Sequence, residues 1–159
     1  GWRSAQNTCI HLSTSQAQLY PEHFLNTAQL EKLAEGKLRY IPGPTSVIES
    51  SLIIGFIGKT EQMGHPSQKP MDVYEKIIRM ATKEGDIVFD PMCGSGTAGT
   101  VCRVLGRKAV LSDINPAYIE MTKKRMSEMV HDDLLRRNLE NQKKINKKMY
   151  TTKQEISNE

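Results

Sequence analysis

Apolar residues recur along the chain with two different periods, and the places where the period changes mark out its elements. Met71, Tyr74, Ile77, Ile78 and Ala81 fall at helical spacing. Pro70 suits the first position of that helix, because its φ is already helical and its missing N–H has no intrahelical partner to lose. Gly85-Asp86 ends the helix, and Ile87-Val88-Phe89 follows as a short, apolar, buried strand. Gly94 to Gly96 is a glycine-rich turn, Ala98 to Leu105 a helix stopped by Gly106, and Ala109-Val110-Leu111 the next strand. Asn115-Pro116 joins a favoured cap to a favoured first position, and the helix it opens carries Ile119, Thr122, Met126 and Met129 on one face. Strand, helix, strand, helix is the order of a βαβ unit with a parallel sheet.

Either side of this region the pattern is weaker. Asn26 or Thr27 caps a short helix through Glu35, closed by Gly36. Leu38 to Ile41 reads as a short strand, Pro42-Gly43-Pro44 as a turn, and Val47-Ile48 and Leu52 to Ile57 as further strands, the last apolar enough to be buried. From His131 to Glu159 the chain is polar, with a thin stripe of Leu134, Leu135, Leu139, Ile145 and Met149 that extends the preceding helix and then frays.

Composition adds little. Hydrophobic residues make up 38% and charged residues 25%, as in an ordinary globular protein. The net charge of +4 leans towards a polyanionic partner, but it is spread evenly and forms no basic arm. Cys9, Cys93 and Cys102 are odd in number and lack metal-ligand spacing, so no metal site is expected, and a reduced, cytoplasmic protein fits best. No apolar run approaches the roughly 18 residues of a membrane helix, so no membrane partner is expected. No apolar stretch follows Gly1-Trp2-Arg3-Ser4, which excludes a signal peptide there. The chain does not start with Met, and a trimmed or partial polypeptide is expected.

The chemistry concentrates after the first strand of the α/β region. The run from Ile87 to Asp90, then Pro91-Met92-Cys93-Gly94-Ser95-Gly96-Thr97, takes a strand into an acidic residue and through a glycine turn into a helix. Glycines let a ligand approach the backbone closely, and a helix N-terminus offers unpaired N–H groups to a phosphate or carboxylate. Gly94, Gly96 and Gly99 spell the dinucleotide pattern G-x-G-x-x-G, which alone is a weak signal. Asp90 repels a pyrophosphate but accepts a hydrogen bond from an amine, so an amino acid such as S-adenosylmethionine fits better. Asp113, 23 residues further on and at the next strand end, can accept from ribose hydroxyls, which suits either NAD or S-adenosylmethionine. Ile114 beside it can pack on adenine. The plainer alternative makes Asp90 and Asp113 mere turn and cap residues. Cys93 sits where a small side chain fits, with nothing nearby to activate a thiolate.

Three ordered segments carry a resemblance: His65-Pro66-Ser67-Gln68-Lys69-Pro70, then Phe89 to Thr97, then Ser112-Asp113-Ile114-Asn115-Pro116-Ala117-Tyr118. Over roughly Gly64 to Met129 the chain resembles the C-terminal part of the DNA N4-cytosine/N6-adenine methyltransferases, in the permuted group where a His-Pro-x-Gln-Lys-Pro segment precedes the glycine loop. The resemblance implies an α/β fold: a partial Rossmann-like, S-adenosylmethionine-dependent methyltransferase fold with a parallel sheet and flanking helices. It implies three regions: residues 1–64, the end of a target-recognition region with connecting strands; 65–130, the S-adenosylmethionine-binding βαβ region; and 131–159, a charged helical tail. Asp90, Pro91, Met92, Cys93 and the Gly94, Ser95, Gly96, Thr97 turn would hold the methionine part. Asp113 would hold the ribose, Ile114 would flank the adenine, and Asn115 would complete that side. Ser67, Gln68 and Lys69 would approach the methionine end from the other side, with Lys69 pairing with the carboxylate. The implied partner is double-stranded DNA, in a restriction-modification setting.

In that family the exocyclic amine is aligned by Asp, Asn or Ser followed by Pro-Pro and an aromatic residue that stacks on the flipped base. This sequence contains no Pro-Pro. No catalytic residue is therefore assigned. The chain is expected to be inactive by itself, its catalytic segment coming from an N-terminal half or a second subunit. Two other readings stand beside this one: a non-catalytic DNA- or partner-binding relative, and a nucleotide-dependent oxidoreductase resting on the three glycines.

Overall fold

A computed structural model describes residues 7–50 and 61–128. The first helix, α1 (Thr27–Ala34), starts as its sequence dictates. The Asn26 side chain accepts from the Gln29 N–H at 2.9 Å, and the Gln29 side chain accepts from the Asn26 N–H at 2.9 Å, so two orphan donors are satisfied reciprocally. A 3-10 turn at Pro21–Phe24 comes before it and docks on the next helix. There the Tyr20 N–H reaches the Met80 carbonyl at 2.8 Å, His23 Nδ1 donates to the Arg79 carbonyl at 2.7 Å, and the Arg79 guanidinium lies over the Phe24 ring.

That helix, α2 (Met71–Ala81), begins one residue later than the sequence suggests. Pro70 is extended (φ −62°, ψ 142°) and stands at the cap. Its side chain cannot accept a hydrogen bond, so Glu61 caps in its place, taking the Met71 N–H on Oε1 at 2.6 Å. Met71 and Ile78 are buried and Tyr74 half-buried, but Ile77 and Ala81 are exposed. The helix stops at Ala81, short of Gly85, because Thr82 turns extended and directs both its N–H and its hydroxyl onto the Ile78 carbonyl, at 2.9 and 2.6 Å. Gly85 (φ +89°) instead forms the turn into the sheet.

Strand β1 (Ile87–Asp90) pairs in parallel with β2 (Lys108–Leu111), Ile87 facing Lys108 and Asp90 facing Leu111. Helix α3 (Thr97–Leu105) makes the crossover, and α4 (Pro116–Ser127) follows, its first turn capped by the Asn115 side chain on the Ala117 N–H at 3.0 Å. The core lies between α2, α3 and one sheet face: Met71, Ile78, Val101, Cys102 and Leu105, flanked by Tyr74, Val88, Val104 and Ala109. Arg107 fastens the far end, donating to the Thr82 hydroxyl and carbonyl and to the Leu105 carbonyl. This is a partial Rossmann-like α/β unit, a two-stranded parallel sheet with helices.

Several expectations are corrected. The first strand is not buried on both faces: Ile87 is 66% and Phe89 63% exposed, and Val110 beside them 53%. Alternation puts these three on the sheet face opposite α3, where no described element packs. Leu38–Ile41 and Val47–Ile48 form no strands, and Pro42-Gly43-Pro44 forms no turn. β-propensity expresses itself only against a neighbouring strand and a packed face, and Tyr40 and Val47 have neither, at 75% and 68% exposed. Leu52–Ile57, Met129 and the predicted tail at 131–159 lie outside the described residues. Among the described residues no helix is long and apolar enough to cross a membrane.

Candidate cofactor-binding turn

The site is built at the carboxyl end of the two strands. The ladder continues past β1 as the Ser112 N–H reaches the Asp90 carbonyl at 3.0 Å and the Cys93 N–H the Ser112 carbonyl at 2.9 Å. Pro91 and Met92 bulge out between these bonds, Met92 being 82% exposed. Three glycines follow, each demanded for its own reason. Gly94 has φ +50°, and a Cβ there would lie 3.0 Å from the His65 imidazole. Gly96 has φ +73°, and its Cβ would lie 2.7 Å from Thr122 Cγ2. Gly99 is ordinary helix, but a Cβ would fall 2.5 Å from Leu111 Cδ1, so it sets how closely α3 approaches β2.

Every carbonyl of the turn is consumed from inside the protein. Cys93 O accepts from the Gly96 N–H at 2.8 Å, Gly94 O from the Thr122 hydroxyl at 2.9 Å and Ser95 O from Arg125 at 3.1 Å. Gly96 O accepts from both the N–H and the hydroxyl of Thr100, at 3.0 and 3.1 Å. The N–H groups of the first turn of α3 have no intrahelical acceptor, as at any helix start. The turn therefore offers a ligand donors and the positive end of a helix dipole, which matches an anion such as a carboxylate.

Two carboxylates bracket the same loop. Asp90 Oδ1 accepts the Met92 N–H at 3.1 Å. Asp113 divides its oxygens, Oδ1 taking the Asn115 N–H and Oδ2 the Gly94 N–H, both at 2.9 Å. Those backbone donors, Asn115 first and Gly94 next, hold the Asp113 carboxyl below the usual carboxylate range. Asp113 thus braces the turn, and each oxygen keeps a lone pair for a further donor. Ile114 is fully exposed, and the Asn115 side chain serves the α4 cap. The Cys93 thiol is buried beside Thr122, and burial raises its pKa, consistent with a packing residue.

The segment before α2 lies against this turn. The Thr97 hydroxyl donates to the Lys69 carbonyl at 3.2 Å, and the Lys69 side chain is exposed. Ser67 is exposed, its N–H on His65 Nδ1 at 3.1 Å. Gln68 turns inward: its side-chain oxygen takes the Met63 N–H at 2.8 Å and its amide nitrogen donates to the Glu61 carbonyl at 2.5 Å. Of the three, Gln68 orders the segment, while Ser67 and Lys69 leave polar groups at its surface. Three residues at the site have roles that sequence reasoning did not assign, although His65 opens one of the segments that carry the resemblance. The His65 ring packs on Tyr118 (centroids 4.4 Å apart) and roofs Gly94; Glu61 caps α2; and Arg125, only 7% exposed, lies behind the turn. Arg125 was findable, since it lies three residues after Thr122 on the same helix face.

Comparison with known proteins identifies the family of this region. A family described as DNA methylase matches residues 45–124. Type II methyltransferase M.HpaI of Haemophilus parainfluenzae is 52% identical over 62 residues, 39% of this chain and 20% of that protein. DNA adenine methyltransferase YhdJ of Escherichia coli (strain K12) is 41% identical over 71 residues, 45% of this chain and 24% of that protein. Among solved structures, the M1.HpyAVI-SAM complex is 42% identical with a TM-score of 0.40, covering 41% of this chain and 32% of that one. The aligned part thus spans between a fifth and a quarter of these two curated relatives. With half of its length matched by the family, the chain belongs to the DNA methylases.

Proposed function

We propose that residues 65–130 are the S-adenosylmethionine-binding region of a DNA amino-methyltransferase, with 1–64 the end of its target-recognition region and 131–159 a charged helical tail. One observation carries the reading: a turn whose carbonyls are all internally bonded, set between the carboxylates of Asp90 and Asp113. The donor set fits the ligand. The N–H groups at the start of α3 that are not already bonded to Asp113 and the Cys93 carbonyl suit the amino-acid carboxylate, with Lys69 at the edge to pair with it. The second oxygen of Asp90 suits the ammonium group, and the remaining lone pairs of Asp113 suit the ribose hydroxyls. Ile114 supplies an exposed apolar surface for adenine, and Pro91 and Met92 form the outer wall. The M1.HpyAVI structure, described as a complex with SAM, and the methyltransferase names of the curated relatives support this assignment.

When bound, the cofactor supplies an electrophilic methyl group. This chain's residues hold and orient it, and they present the methyl to the exocyclic amine of a base in double-stranded DNA. Adenine N6 is favoured over cytosine N4 by the similarity to the enzyme named a DNA adenine methyltransferase. No Pro-Pro occurs in the 159 residues, so the segment that aligns the amine comes from outside them, in the same permuted polypeptide or in a second subunit. That absence also favours a second reading, a non-catalytic relative that binds DNA or a partner.

Titration calorimetry with S-adenosylmethionine separates the two, since the second reading gives no cofactor heat. Labelled methyl transfer to DNA tests the division of labour. The chain alone should bind cofactor without turning over, and robust turnover would refute the split.

A further inference from the structure

We infer that Thr122, on α4, is a positioning residue for the carboxylate end of the cofactor, acting through the Gly94–Ser95 peptide; this rests on the cofactor reading above. A threonine inside a helix commonly returns its hydroxyl to the carbonyl one turn back, as Thr100 does to Gly96 at 3.1 Å. Thr122 sends its hydroxyl out of its own helix instead, to the Gly94 carbonyl at 2.9 Å. Both residues are buried, so solvent has little access to either group. The hydroxyl has one proton, and the carbonyl takes it. The Cys93 thiol, 3.7 Å from Thr122 Oγ1, is then the donor in that second contact. A Cβ on Gly96 would meet Thr122 Cγ2 at 2.7 Å, so the side chain lies hard against the turn.

The consequence for a ligand lies on the other edge of the same peptide. Among the described residues no peptide is cis, and in a trans peptide the C=O and the following N–H point in opposite directions. Tying the Gly94 carbonyl to α4 therefore turns the Ser95 N–H away from α4. Among the described residues nothing accepts from that N–H, whereas the Gly94 N–H goes to Asp113 and the Gly96 N–H to the Cys93 carbonyl. The Ser95 N–H is thus the donor of the glycine loop left for an anion, beside those of the first turn of α3. Gly94, at φ +50°, leaves this peptide free to rotate. Without the Thr122 hydroxyl the Gly94 carbonyl loses its donor, and rotation towards another carries the Ser95 N–H out of place.

The test uses the full chain and two ligands that share the thioadenosine part. S-Adenosylhomocysteine carries the amino-acid carboxylate, and 5′-methylthioadenosine does not. Thr122→Val keeps the shape of the side chain but removes the donor. Calorimetry on it should show S-adenosylhomocysteine weakened about tenfold, the order of one hydrogen bond to a charged group, with methylthioadenosine unchanged. Thr122→Ala, which also lacks the donor, carries the test if Thr122→Val does not fold. Thr122→Ser keeps the donor and should bind both ligands as the wild type does. In the wild-type chain, NMR should show the Ser95 amide proton moving downfield with S-adenosylhomocysteine and not with methylthioadenosine. Equal loss for both ligands, loss for neither, no recovery in Thr122→Ser, or a Ser95 amide that ignores S-adenosylhomocysteine overturns the role of Thr122 alone. A wild-type chain that binds neither ligand overturns the cofactor reading itself.

Discussion

Replacing Gly96 with alanine tests the packing under the turn directly. Two costs add at this position. The left-handed backbone (φ +73°) disfavours any Cβ by about 1–2 kcal/mol. The new methyl would also meet Thr122 Cγ2 at 2.7 Å and Oγ1 at 2.9 Å. Thr122 is 6% exposed and its hydroxyl is tied to the Gly94 carbonyl, so it cannot rotate away cheaply; overpacking of this kind costs about 1–3 kcal/mol. The sum, about 2–5 kcal/mol, is a large share of the total stability of a small domain. Gly36→Ala is the matched control: φ is +68°, yet nothing lies within 4 Å of its Cβ, so only the backbone cost applies. Urea unfolding followed by circular dichroism measures both variants. The Thr122→Ala background then completes a cycle, because truncation removes the clashing atoms, and the double variant should be more stable than additivity predicts by about 1–2 kcal/mol. If Gly96→Ala costs no more than Gly36→Ala, or the cycle is additive, the assigned contact does not constrain the turn.

Asn26→Ala removes one arm of the capping box and should cost about 1 kcal/mol, visible as faster amide exchange at the start of α1. Asp113 has a folded pKa below 3.8, so its stabilising effect is complete above that value and is lost as the pH falls through the folded one. A carboxyl NMR titration should show the depressed value, and Asp113→Asn should remove that acid-side loss. Burial pushes the Cys102 thiol from 9.0 up to about 11, so its contribution is intact below pH 9.0 and drains away as the pH climbs towards 11. Denaturation at stepped pH, compared with Cys102→Ala, reads the difference. Iodoacetamide should label exposed Cys9 in the native chain and reach Cys93 and Cys102 only in denaturant, as mass spectrometry will show. Phe89→Ser should change stability by less than about 0.5 kcal/mol, because the ring is not in the core.

Local signals were legible where a residue acts on its own backbone. Asn26, Gly36, Gly106 and Asn115-Pro116 place helix ends almost as read, because a cap or a left-handed glycine needs no distant partner. The βαβ order was legible because hydrophobic spacing changes with the element. Extended segments were not, since Leu38–Ile41 and Val47–Ile48 depend on neighbours that a single sequence does not identify. At the site, the sequence indicated which loops meet but not how their polar atoms are spent. It marked Asp113 as an acceptor for a sugar but not as a brace for the turn, where each of its oxygens also holds a backbone N–H group. It also left Arg125 unremarked, although its spacing from Thr122 puts it on the same helix face, because a basic residue on a late helix usually faces water.

The bare side of the sheet has a practical consequence. Among the described residues Ile87, Phe89 and Val110 form an exposed oily strip and no third strand flanks β1 or β2, the combination that draws identical chains together. Self-association is therefore expected when the polypeptide is purified at high concentration. Binding and folding measurements therefore belong in the dilute regime, with light scattering run alongside to establish where that regime ends.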